Sequence, residues 1–227
     1  MAFISDVHSN LEALEAVLDV VGTTRVYCCG DIVGYGASPN EVTRVLRGVG
    51  ATCVMGNHDR AALSGEVGDF NPRAAMAAIW TAEHIEEETR EFLSSLPESA
   101  VFSVGGRRVF MVHGSPDDPL SEYVFPLTHS DLFDYYLDKV GTDVLALGHT
   151  HEPFQWSRDD GGLVFNPGSV GQPRDGDPRA SFALLTVDGG VARVELRRVE
   201  YDVERAARKI SASGLPPSLA TRLLSGE

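Results

Sequence analysis

The chain has 227 residues, 43% of them hydrophobic, which suits one α/β domain with a large core and is short for two. Its formal charge is -14 and it carries only two lysines, Lys139 and Lys209, so a face that tracks along polymeric nucleic acid is not expected. No apolar run approaches the ~20 residues that cross a bilayer, and no basic-then-apolar leader opens the sequence, so a cytoplasmic protein without membrane contact is the expectation.

Ala2–Ser5 reads as a first strand, and Leu11, Leu14, Val17, Leu18 and Val21 mark an amphipathic helix closed by Gly22. Val26–Cys29 reads as a second strand. Its cysteines, like Cys53, sit in apolar runs without Cys-x-x-Cys spacing, as small core residues of a reducing compartment. Ser38-Pro39-Asn40-Glu41 supplies an N-cap, a first-turn proline and a capping-box glutamate for a helix to about Arg47. Ala51–Met55 is a third strand, and Asn71-Pro72 opens a helical stretch to about Leu96, broken near Ile85 and ended by Pro97.

Ala100–Val104 and Arg108–Val112 flank the glycine turn Gly105-Gly106 of a β-hairpin. A helix over Ser130–Val140 leads to a buried strand, Val144–Leu147. Phe154–Ser157, Leu163–Phe165, Ser181–Val187 and Val191–Val199 follow as strands, with turns at Asp160-Gly161-Gly162 and Asp188-Gly189-Gly190. Helices in the first half and strands in the second predict a four-layer α-β-β-α sandwich of two mixed sheets flanked by helices. Asp202–Ala212 and Pro216–Leu224 read as closing helices that dock on the domain or on a second subunit, which leaves a homo-oligomer open.

Five apolar strands end in metal-ligating residue types: Asp6 and His8, Asp31, Asn57-His58-Asp59, His113, and His149 with His151. In α/β sheets ligands bind beyond the carboxyl ends of strands, so five such endings converge on one crevice. Asp6/His8 and His149/His151 are i, i+2 pairs, which in extended chain point to one side. Gly30, Gly56 and Gly148 precede Asp31, Asn57 and His149, where a missing Cβ permits a sharp turn or close approach. Carboxylate and amide oxygen mixed with imidazole suits Mn, Fe, Zn or Co rather than a thiolate-bound ion. His84 and His129 have no such context and are expected at the surface.

The ordered set Asp6-x-His8, Gly30-Asp31, Gly56-Asn57-His58-Asp59, His113-Gly114 and Gly148-His149-x-His151 resembles the signature of calcineurin-like metallophosphoesterases, in their small prokaryotic phosphodiesterase branch. Asn166-Pro167-Gly168-Ser169 extends the likeness. The resemblance implies two divalent ions, Mn before Fe, Zn, Ni or Co. Asp6, His8, Asp31 and His151 would hold one, and Asp31, Asn57, His113 and His149 the other. It further implies attack on phosphorus by a hydroxide bridging the ions, with His58 protonating the leaving group and Asp59 orienting His58.

Two divalent ions, two carboxylates and one hydroxide sum to about one net positive charge, which matches a phosphodiester monoanion better than a dianionic monoester. A small phosphorylated substrate is therefore expected. Where the protein-phosphatase branch has Asp-Arg-Gly, this sequence has Gly34-Tyr35-Gly36, and Arg60 or Arg174 are the candidates to replace that arginine. Dinucleoside polyphosphate hydrolysis and phosphomonoester hydrolysis use the same metals. A protein-binding scaffold like the phosphoesterase-like subunit of the retromer coat is the reading of another class, against which every motif position is filled. Ser64–Asn71, Ser115–Pro126 and Gln172–Arg179 are the expected cleft walls, with Asp117, Asp118, Glu122 and Tyr123 placed to limit access or select a base.

Overall fold

Short β-branched and apolar runs form the strands that carry the site. The computed structural model describes residues 1–68 and 70–227. Strands β1 (Ala2–Ile4), β2 (Val26–Cys28) and β3 (Thr52–Cys53) run parallel, with helix α1 (Leu11–Val21) between the first two and α2 (Pro39–Gly48) between the second and third. Helix α3 (Asn57–Ser64) follows at once, then α4 (Pro72–His84) and α5 (Glu87–Ser94), separated at Ile85. The hairpin of β4 (Ser99–Val104) and β5 (Arg107–Val112) turns on Gly105 and Gly106, both at positive φ. Next come α6 (Ser130–Val140), β6 (Val144–Ala146), β7 (Phe154–Ser157), β8 (Leu163–Asn166), β9 (Ala180–Asp188), β10 (Val191–Val199), α7 (Val203–Ala212) and α8 (Pro217–Ser225).

The strands make two five-stranded mixed sheets, ordered β10-β9-β1-β2-β3 and β4-β5-β6-β8-β7. The first adds β9 and β10 by antiparallel pairing to one side of parallel β1-β2-β3; the second has a parallel β5-β6-β8 centre between antiparallel edges β4 and β7. Their facing sides share one apolar layer, in which Phe3 stacks on Tyr27 at 5.1 Å and meets Phe165 edge-on at 5.1 Å across the sheets. Outside the first sheet, α1, α2 and α5 bring Leu14, Leu46 and Leu93 onto Ile4, Cys28 and Phe182; outside the second, α6 covers Leu145 and Val164 through Phe133 and Leu137. The expected α-β-β-α sandwich is the observed one. Cys28, Cys29 and Cys53 are buried free thiols within it.

Three local expectations change, and for the closing helices one of the two expected docking places is the observed one. Ser38 makes no side-chain cap; its backbone N–H goes to Ser9 O at 3.0 Å, so tertiary bonding takes over the entry to α2. Helix α3 was not expected, because its sequence is short and polar and Gly56 stands in the N-cap place. The closing helices dock on the chain itself: Glu12 of α1 accepts from Arg205 Nε at 3.1 Å and Lys209 Nζ at 2.6 Å of α7. The i, i+2 pairs are also not extended, since Asp6, His8, His149 and His151 all have positive φ.

Candidate metal centre and its cleft

Each candidate ligand follows the carboxyl end of a parallel strand: Asp6 and His8 follow β1, Asp31 β2, Asn57 β3, His113 β5, and His149 and His151 β6. Five strand ends from two sheets thus meet. Asp31 also has positive φ (52°), a conformation costing on the order of 1–3 kcal/mol per non-glycine residue and typical of functional sites. Tertiary hydrogen bonds hold the backbone there: Asp6 N–H donates to Gly30 O and His8 N–H to Asp31 O, each at 3.0 Å. At Gly56 a Cβ would lie 2.1 Å from Asp31 Oδ1, so only glycine lets the third strand end approach the second.

Ring orientation is fixed from outside. His8 Nδ1 donates to Val33 O at 3.1 Å, His113 Nδ1 to Cys29 O at 2.9 Å, His149 Nε2 to Ser121 O at 3.2 Å, and His151 Nδ1 to Gln172 O. A carbonyl only accepts, so each ring carries its hydrogen outward and turns its other nitrogen inward. The inward nitrogens converge: His8 Nε2 lies 3.1 Å from His151 Nε2, and His113 Nε2 lies 3.0 Å from His149 Nδ1 and 3.1 Å from Asn57 Oδ1. Two groups result, Asp6-His8-His151 and Asp31-His113-His149, all buried.

The carboxylates complete the donor sets. Asp31 Oδ1 accepts from His58 N–H at 2.8 Å, which leaves Oδ2 between the groups, 3.6 Å from His8 Nε2 and 3.4 Å from His113 Nε2. Asp6 Oδ2 accepts from His149 N–H at 3.2 Å, while Asp6 Oδ1 is buried with no hydrogen-bond partner, 3.2 Å from His151 Nε2. Buried lone pairs facing one another and an orphaned carboxylate oxygen are costly alone and are satisfied together by cations. The residues therefore fit divalent metal ions.

Protonation reflects the same crowding. Burial pushes Asp6 up to about 7. Burial also pushes His149 down to about 3 and holds His8 and His151 well below the usual imidazole range. Burial acts the same way on His113, but the charge and hydrogen bond of Asp31 together with the Asp6 charge and the bond to Cys29 O outweigh it and raise this imidazole to about 9. Asp31 is the converse: burial raises it, yet His113, His58 and His8 hold it well below the usual carboxylate range.

Comparison with known proteins gives the family. The calcineurin-like phosphoesterase superfamily domain matches residues 1–190. The chain belongs to that superfamily. It is 40% identical to an uncharacterised protein of Methanocaldococcus jannaschii, over 100% of this chain and 98% of that one. A crystal structure of a metallophosphoesterase from Sphaerobacter thermophilus shares 37% identity, covers 100% of this chain and 98% of its own, and superposes with a TM-score of 0.84. Phosphodiesterase YfcE of Escherichia coli K12 is 27% identical over 83% of this chain and 88% of its own.

In this calcineurin-like phosphoesterase the centre opens into a cleft of about 640 Å³, lined by Asn57, His58 and His149 at its base and by Tyr35, Phe70 and Tyr123 at its sides. His58 is buried, its Nδ1 lacks a hydrogen-bond partner, and burial pushes its ring down to about 4. At Gly34, φ is +95° and a Cβ would lie 2.6 Å from His58 Nδ1, so this glycine makes room for the ring.

Several expected roles fall elsewhere. Asp59 does not orient His58: its Oδ1 accepts from Val33 N–H and its Oδ2 from Gly56 N–H, both at 3.0 Å, so it braces the loops after β2 and β3. Both oxygens are already used by backbone. Arg60 lines the cleft but pairs with Glu98. Arg174 does not line it: its guanidinium bonds Gln172 Oε1 at 3.0 Å and Tyr35 OH at 3.3 Å, behind Tyr35.

Of the expected walls, 172–179 is also not part of the cleft. Gln172 instead holds His151, and Asp175 and Asp177 pair with Arg198 and Arg179. In 115–126, Asp117 pairs with Lys139, Asp118 accepts turn amides and Glu122 accepts from Ser115 Oγ, which leaves Tyr123 with Leu120 and Ser121 to face the cleft. In 64–71, Glu66, Gly68, Phe70 and Asn71 line it, and Asp69 lies outside the described residues. His84 and His129 are exposed, as expected.

The resemblance flagged Asn166–Ser169 without a role, and the structure supplies one. Ser169 Oγ donates to Asp6 O at 2.8 Å and accepts from Gln172 N–H at 2.7 Å, while Asn166 Nδ2 donates to Gly148 O at 2.6 Å. This stretch ties the Asp6 loop to the His149–His151 loop. Only contacts distant in sequence reveal it.

Proposed function

We propose that the chain, as one domain over residues 1–227, is a metal-dependent phosphodiesterase acting on a small cytoplasmic phosphodiester. Asp6, His8, Asp31 and His151 would hold one divalent ion, and Asp31, Asn57, His113 and His149 a second, with Mn preferred. Bound there, the ions supply Lewis-acid charge neutralisation at phosphorus and an activated water as nucleophile. The observation that carries the reading is Asp31 Oδ2 lying 3.6 Å from His8 Nε2 and 3.4 Å from His113 Nε2, one nitrogen of each group, so that Asp31 would contribute to both. The phosphodiesterase name of the Escherichia coli relative supports the choice of ester.

His58 is the group placed to protonate the leaving oxygen. Its ring is buried at the cleft base, where it is neutral unless a negative charge raises its affinity for a proton. A bound phosphodiester brings that charge. Proton donation therefore follows substrate binding.

The test compares bis-p-nitrophenyl phosphate with p-nitrophenyl phosphate, using chelator-stripped protein before and after Mn²⁺ is restored. Diester turnover well above monoester turnover, appearing only with the metal, is expected. Absence of turnover on either ester with metal bound would remove the reading and favour a binding scaffold. In the same assay His58→Ala loses on the order of 10²-fold or more on an alkyl leaving group and less on p-nitrophenolate. Equal activity of His58→Ala and wild type on the alkyl ester would assign the proton to another group.

A further inference from the structure

The cleft offers more than room for a phosphate. On the His58 side its wall is aromatic: Phe70 packs on His58 with ring centroids 4.6 Å apart, and Tyr35 meets the same ring at 4.4 Å. On the other side Tyr123 stacks on His149 at 3.8 Å and 26°. All three rings line one cleft of about 640 Å³, within the range of about 300–1,000 Å³ typical of small-molecule sites. A bare dialkyl phosphate leaves most of that space in contact with water.

Tyr123 keeps 50% of its surface exposed although its surroundings are firmly built. The next residue, Val124, is buried in the cluster under α6, and Ser121 O on the same strap accepts the His149 ring N–H at 3.2 Å. Ser115 Oγ and Glu122 close the strap from behind. The ring is therefore held at the rim by design of the strap, and an aromatic ring fixed in water beside a reaction centre gains its burial from a ligand. Polar groups lie near as well: Glu66 and Asn71 line the same cleft.

We propose, resting on the phosphodiesterase reading above, that the substrate is a nucleoside phosphodiester whose base is held between Phe70 and Tyr123, with its polar edge toward Glu66 and Asn71. Stacking is tolerant of base identity, because every base presents a π-face, and the hydrogen-bonding edge separates a nucleobase from a plain aryl group.

The test uses product-like monoesters and measures binding by calorimetry on the Mn²⁺-loaded protein, with 5′-AMP, ribose 5-phosphate and phenyl phosphate as probes. AMP should bind about 10-fold or more tightly than ribose 5-phosphate, the scale of one stacked base, and more tightly than phenyl phosphate. Tyr123→Leu and Phe70→Leu should each move the AMP to ribose 5-phosphate ratio toward one. A merely structural role for either ring would lower both affinities together and keep the ratio. Equal binding of AMP and ribose 5-phosphate by the wild type overturns the proposal without recourse to any variant, and phenyl phosphate matching AMP overturns the nucleobase in favour of any aryl ester. A protein that hydrolyses bis-p-nitrophenyl phosphate yet shows no such ratio contradicts this inference alone. One that binds AMP selectively and cleaves neither test ester contradicts the hydrolytic reading instead.

Discussion

As the pH falls toward 7 and below, first His113 and then Asp6 take up a proton that a bound cation would displace. Burial raises Asp6 to about 7, and the charge and hydrogen bond of Asp31, together with the Asp6 charge, outweigh burial at His113 and raise it to about 9. The other three imidazoles are held low by burial and stay unprotonated at neutral pH. The sign follows: below pH 7 both protons compete with the metal, and above about 9 neither does, so affinity rises with pH through that window. Mn²⁺ titrations at about pH 6 and about pH 8 are predicted to show tighter binding and less proton release at the higher pH. Equal affinity at both would mean that neither residue is displaced by the ion.

At the scale of elements, the centre depends on loops that end strands and on the braces between them. Ser169 is fully buried and joins the Asp6 loop to Gln172, whose carbonyl fixes His151. Ser169→Ala strands Gln172 N–H and one bond to Asp6 O, which costs about 1–3 kcal/mol. Denaturant unfolding should show that loss, together with weaker metal binding; unchanged stability would mean that other contacts hold the loops. The strands themselves were legible because apolar runs bounded by glycine turns are local signals, and the break at Ile85 was likewise carried by local sequence. Helix α3 was not legible, since Asn57–Ser64 has a weak apolar pattern and its entry is set by Asp31 and Asp59 bonding backbone amides.

Across the whole molecule, the two sheets meet on one apolar layer around Phe3, Tyr27 and Phe165, and this aligns strand ends from both sheets on one centre. The candidate ligands stood out in sequence because each lies within five residues of the end of an apolar strand. Their true backbone, with positive φ at Asp6, His8, Asp31, His149 and His151, was not, because it is imposed by bonds between loops far apart in the chain. The same distance hid the bracing role of Asp59, the withdrawal of Arg174 behind Tyr35, and the meeting of Phe70 and Tyr123 across one cleft. The most direct measurement of the central claim is metal stoichiometry. Chelator-stripped protein titrated with Mn²⁺ should take up about two ions per chain, and Asp31→Asn, which alters the carboxylate placed between both groups, should weaken both. One ion per chain, or an Asp31→Asn protein that still binds two with wild-type affinity, would contradict a centre shared through Asp31.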